Sequence, residues 1–441
     1  MFQKIKLSLK KINFKLLLAL LVLGLAPTVY TTVRVFLLGE LPGEWAFSIA
    51  GQLSWVNLLY EILSEAIVLP LFYFIGKVLN DKKEFANRIK TGLLLSVSAY
   101  TLLSIIVIVF TKPLLSLMAT DNTIIDASTT YIRIESIASI FSLSFNFVMV
   151  AMVTLGKEKY VYILTTVKLV LCLLVDTFMV SNLSVSLNLG VNGIAFSNII
   201  VNIILVGTAI ILLNKEGVTI FKKEKLSFVW MKDFLKVGGI SGLESFVRNI
   251  AYMLMIARMV NMVGEQGTYW VANNFIWGWL LLPVLQLGEL IKRETATDEN
   301  AVKNNSLGYF VLTAIICVLW CVSIPIWKPF MTSVLNFNDV DKLFELVMVL
   351  LGFYMLYAFQ NVFDSTFYGL GKTNYMLFES IVTNVVYYGG AFVLYLCGVW
   401  QPTLIGIALL FGIGNAFDSI VSLVAYTYLL KKKKINILNI D

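Results

Sequence analysis

The stretch Leu155-Gly156-Lys157-Glu158-Lys159-Tyr160 returns 215 positions later as Leu370-Gly371-Lys372-Thr373-Asn374-Tyr375, each time between two apolar runs. Around it, Lys112-Pro113-Leu114 returns as Lys328-Pro329-Phe330, Pro70 and Gly76 return as Pro283 and Gly288, Asn146 as Asn361, and Arg34 as Arg248, at offsets of 212 to 216. Signatures repeated in register over such a length mark a duplicated half.

Each half is strongly apolar. Hydrophobic residues make up 59% of the 441 and charged residues 14%, with a mean hydropathy of +0.84, outside the balance of a soluble globular chain. Runs of about 20 apolar residues cross the ~30 Å of hydrocarbon as helices. Twelve are expected, over 16–39, 46–76, 91–113, 127–154, 160–182, 188–213, 235–262, 268–291, 307–327, 343–369, 374–398 and 403–430. Six spans per half give both halves one orientation, so the repeats are parallel, the plan of two bundles that rock around a site held between them. The expected organisation is a six-helix lobe over 1–213, a cytoplasmic linker over 214–234, a second six-helix lobe over 235–430, and a basic tail over 431–441. Within the linker, Ser227 to Leu235 mixes aromatic and basic residues, as an amphipathic helix at the inner lipid surface would, though a plain tether between the halves is the preferred reading.

Basic residues set the orientation, because short cytoplasmic loops collect Lys and Arg. Lys4, Lys6, Lys10, Lys11 and Lys15 precede the first span, Lys77, Lys82, Lys83, Arg88 and Lys90 follow the second, Lys157 and Lys159 follow the fourth, and Lys431 to Lys434 follow the twelfth. Both termini are therefore expected in the cytoplasm of a bacterial cell, with the chain in its cytoplasmic membrane. The net charge of +7 follows from the same rule and calls for no nucleic-acid partner. The four cysteines, Cys172, Cys317, Cys321 and Cys397, fall inside expected spans, and a chain without histidine excludes a Cys/His metal site. No phosphate-cradling Gly-x-x-x-x-Gly-Lys-Ser/Thr loop is present, so neither an enzyme nor a nucleotide-driven pump is expected, and no cofactor.

Lys112-Pro113-Leu114-Leu115-Ser116-Leu117-Met118, Ala127 through Tyr131-Ile132, Leu155-Gly156-Lys157, Leu189-Gly190-Val191-Asn192-Gly193-Ile194-Ala195, and Val33-Arg34 with Gly39-Glu40-Leu41 together resemble the multidrug and toxic compound extrusion (MATE) family. That family lies in the superfamily that also holds lipid-linked oligosaccharide flippases. The resemblance implies an all-α membrane protein with two six-helix lobes forming a V around a central cavity. It also implies export driven by a H⁺ or Na⁺ gradient through alternating access.

Ionisable groups inside spans cost roughly 2.5–3.5 kcal/mol each on insertion scales and so need a partner or a purpose. Glu61 and Glu65 share one helix face, either as a proton site or as neutralisers of Arg34. Glu244 and Arg248 stand in the order favoured for a pair along a helix, and Glu244 is also a binding candidate. Asp364 with Gln360 and Asn361 offers a carboxylate and two amides, suited to a hard cation or to substrate hydrogen bonds. The coupling candidates are therefore Glu61, Glu65, Glu244 and Asp364. Asp418 lies mid-span in the twelfth run. Lys168 and Asp176 are eight residues apart, about 12 Å of helical rise, so Lys168 needs another helix or water. The resemblance implies an Asp, as many prokaryotic members of the family have, where this chain has Arg34, a group that holds its proton permanently. Arg34, Arg248 and Lys168, together with Asn146, Trp277, Tyr354, Tyr357, Gln360 and Asn361, are the substrate-cavity candidates.

The expected function is export of small amphipathic compounds by antiport with H⁺ or Na⁺, by a monomer whose partners are its substrate and the bilayer. The alternative is a flippase for an anionic lipid-linked saccharide, with Arg34 and Arg248 gripping phosphate. A third reading, a transporter-shaped sensor or scaffold, rests on Arg34 alone.

Overall fold

In hydrocarbon, a chain satisfies its backbone by internal hydrogen bonds. The computed structural model describes residues 2–42, 45–68, 70–79, 81–218 and 225–437, with all of their side chains except those of 2, 72, 73 and 158. The regular structure among these residues is helical throughout: α1 (Phe2–Lys11), α2 (Phe14–Gly39), α3 (Ala46–Ile67), α4 (Leu71–Gly76), α5 (Lys82–Leu117), α6 (Ile125–Thr154), α7 (Glu158–Val180), α8 (Val191–Lys215), α9 (Met231–Tyr252), α10 (Arg258–Met262), α11 (Gln266–Phe275), α12 (Leu282–Thr297), α13 (Ala301–Ser333), α14 (Val340–Gly369), α15 (Thr373–Val382), α16 (Gly389–Leu396) and α17 (Leu404–Lys432). Wide π turns at Met253–Ala257, Ile276–Leu280 and Thr383–Tyr388 join α9 to α10, α11 to α12 and α15 to α16.

Among the described residues, nine helical stretches are long and apolar enough to span: α2, α5, α6, α7, α8, α13, α14, α15–α16 and α17. The pair α11–α12, bent by 53°, makes a tenth. Its bend falls where Pro283, at the head of α12, has no N–H to bond back into the preceding turn. The count from length and composition is thus nine or ten, against twelve expected. The other two expected spans correspond to α3 and to α9–α10. In α3 the apolar run is interrupted by Gln52, Asn57, Glu61 and Glu65, and in α9 by Lys232, Asp233, Lys236, Glu244 and Arg248.

The repeated signatures take the same local form twice. Gly156 and Gly371 turn the chain at φ +68° and +64° just after α6 and α14, each 30 residues long. Side chains disfavour that left-handed conformation, and glycine does not. Lys112 at the end of α5 reaches Asp126 at the start of α6 at 2.7 Å, and Lys328 in α13 reaches Asp341 at the start of α14 at 2.5 Å.

Packing divides the chain into two units, Met1–Thr32 with Thr268–Asp441, and Val33–Gly267. These units do not coincide with the sequence halves. α9 lies on α3 within Val33–Gly267, so close that a Cβ on Gly238 would fall 2.0 Å from the Ala66 carbonyl oxygen. Within the unit Met1–Thr32 with Thr268–Asp441, the first part of α2 is tied to the π turn at Ile276–Leu280 by Thr28, whose Oγ1 donates to the Gly278 carbonyl at 3.0 Å.

The linker corrects another expectation. Trp230 and Phe234, in the stretch whose composition suits a helix at the lipid surface, are buried with their rings 6.0 and 5.5 Å from that of Phe74, and Trp230 Nε1 donates to Thr91 Oγ1 at 3.0 Å. Met231 opens the long helix α9, so the aromatic face that suggested lipid is satisfied by protein. Residues 219–224 of the linker and 438–441 of the tail lie outside the described residues. The basic amphipathic helix is α1, which exposes Lys4, Lys6, Lys10 and Lys11 while Ser8 Oγ accepts from the Gly308 N–H at 2.8 Å.

Candidate functional site

Three polar clusters stand inside the helical units. On α3, Glu61 and Glu65 lie one turn apart and meet α9, not α2. Arg248 Nη2 donates to Glu65 Oε1 at 2.7 Å and to Glu61 Oε1 at 3.3 Å, while its Nη1 lies 4.0 Å from Glu244 Oε1. All four side chains keep some exposure, between 18% and 45%. One guanidinium faces three carboxylates, so ionised acids would leave a surplus of negative charge open to water. The sequence brought Glu244 and Arg248 together correctly, but the closer partners of Arg248 come from α3.

The second cluster gathers around Arg34 on α2. Its Nε and Nη2 hold Asp176 of α7 at 2.6 and 3.2 Å, a two-pronged geometry that suits a planar guanidinium. The same Nη2 donates to Asn198 Oδ1 of α8 at 2.6 Å, and Asn198 Nδ2 donates onward to Glu135 Oε1 of α6 at 2.7 Å. Asp176 is fully buried and Glu135 is 4% exposed. Glu61 and Glu65 therefore do not neutralise Arg34; Asp176 does. Lys168, about two turns before Asp176, lies over the Phe145 ring at 5.9 Å.

The third cluster lies in the other unit. Gln360 on α14 spreads its amide between two acids, Nε2 donating to Asp364 Oδ2 at 3.2 Å and to Asp418 Oδ2 of α17 at 2.6 Å, while Oε1 accepts from Ser419 Oγ at 2.9 Å. Ser422 Oγ donates to Asp364 Oδ1 at 2.7 Å and Thr383 Oγ1 to Asp418 Oδ1 at 2.6 Å. Thr383 opens the π turn after α15. Asn361 turns away and fixes α14 to α12 by donating to the Val284 carbonyl at 2.9 Å. Its repeat counterpart Asn146 is exposed on α6.

Trp277, Tyr354 and Tyr357 do come together: the Trp277 ring lies 6.3 Å from Tyr354 and 5.7 Å from Tyr357, and the two tyrosines are 6.2 Å apart. Tyr354 is buried, Tyr357 half-buried and Trp277 40% exposed, so Trp277 is the most accessible ring of the group for stacking. Sequence reading missed Glu135, Asn198 and Glu379 and gave Asp418 no role. Each acid is an ionisable residue inside an apolar run, which is itself the signal.

A family model described as MatE matches residues 25–178. No curated protein matches the chain by sequence. Among solved structures, an inward-facing multidrug resistance MATE family transporter of the MOP superfamily is similar at TM-score 0.74 and 18% identity, over 93% of this chain and 95% of that one. The chain has the MATE transporter fold. A mutant of the MATE transporter VcmN from Vibrio cholerae shares that MATE fold at TM-score 0.68 and 14% identity, over 99% and 98% of the two chains. A MOP superfamily transporter from Pyrococcus furiosus, described as having a binding pocket of reverse polarity that suggests a different function, shares it at TM-score 0.65 and 17% identity, over 98% of each chain. The MATE fold gives this chain a multi-pass helical membrane architecture, and the three clusters are polar groups on its helices.

Proposed function

We propose that the chain exports small amphipathic organic compounds, cationic ones among them, by antiport with H⁺ or Na⁺ through alternating access. Its setting is a bacterial cytoplasmic membrane, with both termini in the cytoplasm. The observation that carries this reading is Arg248 facing Glu61, Glu65 and Glu244 at 2.7 to 4.0 Å. A partly wet acidic surplus on membrane helices attracts a positive charge, whether a coupling ion or the cationic end of a substrate. Trp277, with Tyr354 and Tyr357 behind it, adds an aromatic surface suited to a flat or cationic ligand.

An anionic, lipid-linked substrate would need guanidinium groups free to take phosphate. The reverse-polarity description of the Pyrococcus furiosus transporter makes that reading worth stating beside Arg34. Here Arg34 is already held by Asp176 and Asn198, and Arg248 by glutamates. Neither presents an open fork to an anion.

The test uses the purified chain in liposomes, with a fluorescent cationic dye and either a pH or a Na⁺ gradient. Gradient-driven dye movement, reduced at least tenfold in Glu61→Gln/Glu65→Gln, is the expected result. No movement under either gradient overturns the reading.

A further inference from the structure

We propose that Asp364, Glu379 and Asp418 form a buried proton-binding site within the unit of α12 to α17, with the exchangeable proton held between Asp364 and Glu379. Nothing in the first two clusters resembles it. Around Arg34 a fixed guanidinium holds Asp176 directly and reaches Glu135 through Asn198, and around Arg248 water reaches the acids. Here three carboxylates converge from α14, α15 and α17, and no Lys or Arg lies within ion-pair distance of any of them among the described residues. Glu379 is 3% exposed, faces Asp364 and Ser422, and its Oε1 is buried without a hydrogen-bond partner.

Three negative charges, one on the buried Glu379 and two on the half-buried Asp364 and Asp418, would be uncompensated, and a buried charge without a partner costs several kcal/mol. The site therefore takes a positive charge from solution, and the hydrogen bonds say which kind. Both oxygens of Asp364 and both of Asp418 already accept a hydrogen, from Ser422, Gln360 and Thr383. Those hydrogens take one acceptor position on each oxygen and leave the Glu379–Asp364 contact as the place that suits a proton. Glu379 and Asp364 face each other as two acceptors, a contact that becomes a hydrogen bond when one of them carries H⁺.

The other titratable groups brought by neighbouring helices are engaged elsewhere. On α12, Lys292 Nζ holds Glu289 at 2.7 Å and lies over the Tyr368 ring, one turn beyond Asp364. On α13, Tyr309 donates to Glu294, and Ser306 pairs with Tyr426 of α17 at 3.1 Å. Lys372, at the foot of α15, is seven residues from Glu379, about 10 Å of rise. The proton would be taken from water and returned to it unchanged. A role in coupling rests on the antiport reading above; the site itself does not.

Infrared difference spectroscopy of the full-length protein in detergent reads the proton directly. A protonated-carboxyl carbonyl band that shifts in D₂O is expected in the wild type at neutral pH and lost in Glu379→Gln and in Asp364→Asn. If the wild type lacks the band, or both variants keep it, the proposal falls, and the wild-type result stands even if a variant does not fold. A melting temperature raised by NaCl over choline chloride in the wild type, and not in Glu379→Gln, would assign the site to Na⁺ and overturn the proton. Dye transport absent with the band intact would sink the antiport reading and leave the site standing.

Discussion

Arg34 grips Asp176 with two nitrogens, Nε 2.6 Å from Oδ2 and Nη2 3.2 Å from Oδ1, and Asp176 has no exposed surface. Removing the guanidinium strands a buried carboxylate, which costs about 3–5 kcal/mol. Arg34→Ala should therefore melt well below the wild type in detergent. Arg34→Lys should recover only part, because a lysine cannot reproduce the fork. A pair replacement, Arg34→Met with Asp176→Leu, should melt closer to the wild type than Arg34→Ala does. If Arg34→Ala melts like the wild type, the network contributes little.

The Arg248 cluster is wetter and its pairs should be weaker. A double-mutant cycle between Arg248→Met and Glu65→Gln should give a coupling of roughly 1 kcal/mol or less, shrinking in high salt. Chemical unfolding at low and high ionic strength measures it. A coupling that ignores salt would mean that the group is drier than its exposure of 24% at Glu65 and 39% at Arg248 implies.

Gly371 holds φ +64° at the end of α14 with open space where a side chain would go, so its cost on substitution is backbone strain rather than a clash. Gly371→Ala should destabilise by about 1–2 kcal/mol, and Gly371→Asn by less. The same pair of changes at Gly156 should behave alike, and equal melting of all four variants with the wild type would contradict the strain.

Between α6 and α7, Lys157 reaches Glu216 beyond the end of α8 at 2.8 Å. Hydrogen bonding to Lys157 lowers the Glu216 carboxyl below its usual range, and the bond to Glu216 raises the Lys157 amine. A lowered acid contributes stability above its unfolded value that is lost as pH falls through the folded one. A raised amine contributes below its unfolded value and loses it as pH rises through the folded one. The melting difference between wild type and Lys157→Ala should thus be present between about pH 4 and 10 and disappear below it. A difference that persists in acid would point to lost packing instead.

Much of the architecture is legible in the residue order. Turn glycines, prolines at breaks and the Lys-Pro pairs are local requirements, and each recurs where the duplication places it. Pro283 bends α11–α12 as its chemistry demands. Partner choice is another matter. Arg34 and Asp176 are separated by 142 positions and Arg248 and Glu61 by 187, so which acid meets which base depends on helix packing that no local pattern encodes. Glu135 and Glu379 were within reach of the rule that acids inside spans need a reason. Glu135 has Tyr131 and Ser139, and Glu379 has Tyr375 and Thr383, one turn away along the chain, so no local charge marks either acid as part of a cluster. Trp230 and Phe234 mislead in the opposite direction, since an aromatic face that suits lipid suits Phe74 equally well.

The paired turns at Gly156 and Gly371 bear on how such a chain can change over time. Backbone geometry punishes almost any replacement there, in both copies alike, while it is indifferent to which charge stands on a neighbouring helix. A doubled protein thus preserves its ancestry in its punctuation and is free to rewrite its vocabulary. Arg34 beside Asp176, and Asp418 beside the uncharged Gln360, are words that the repeated punctuation does not dictate. One carries its positive charge in the covalent chain, and the other must borrow one from outside.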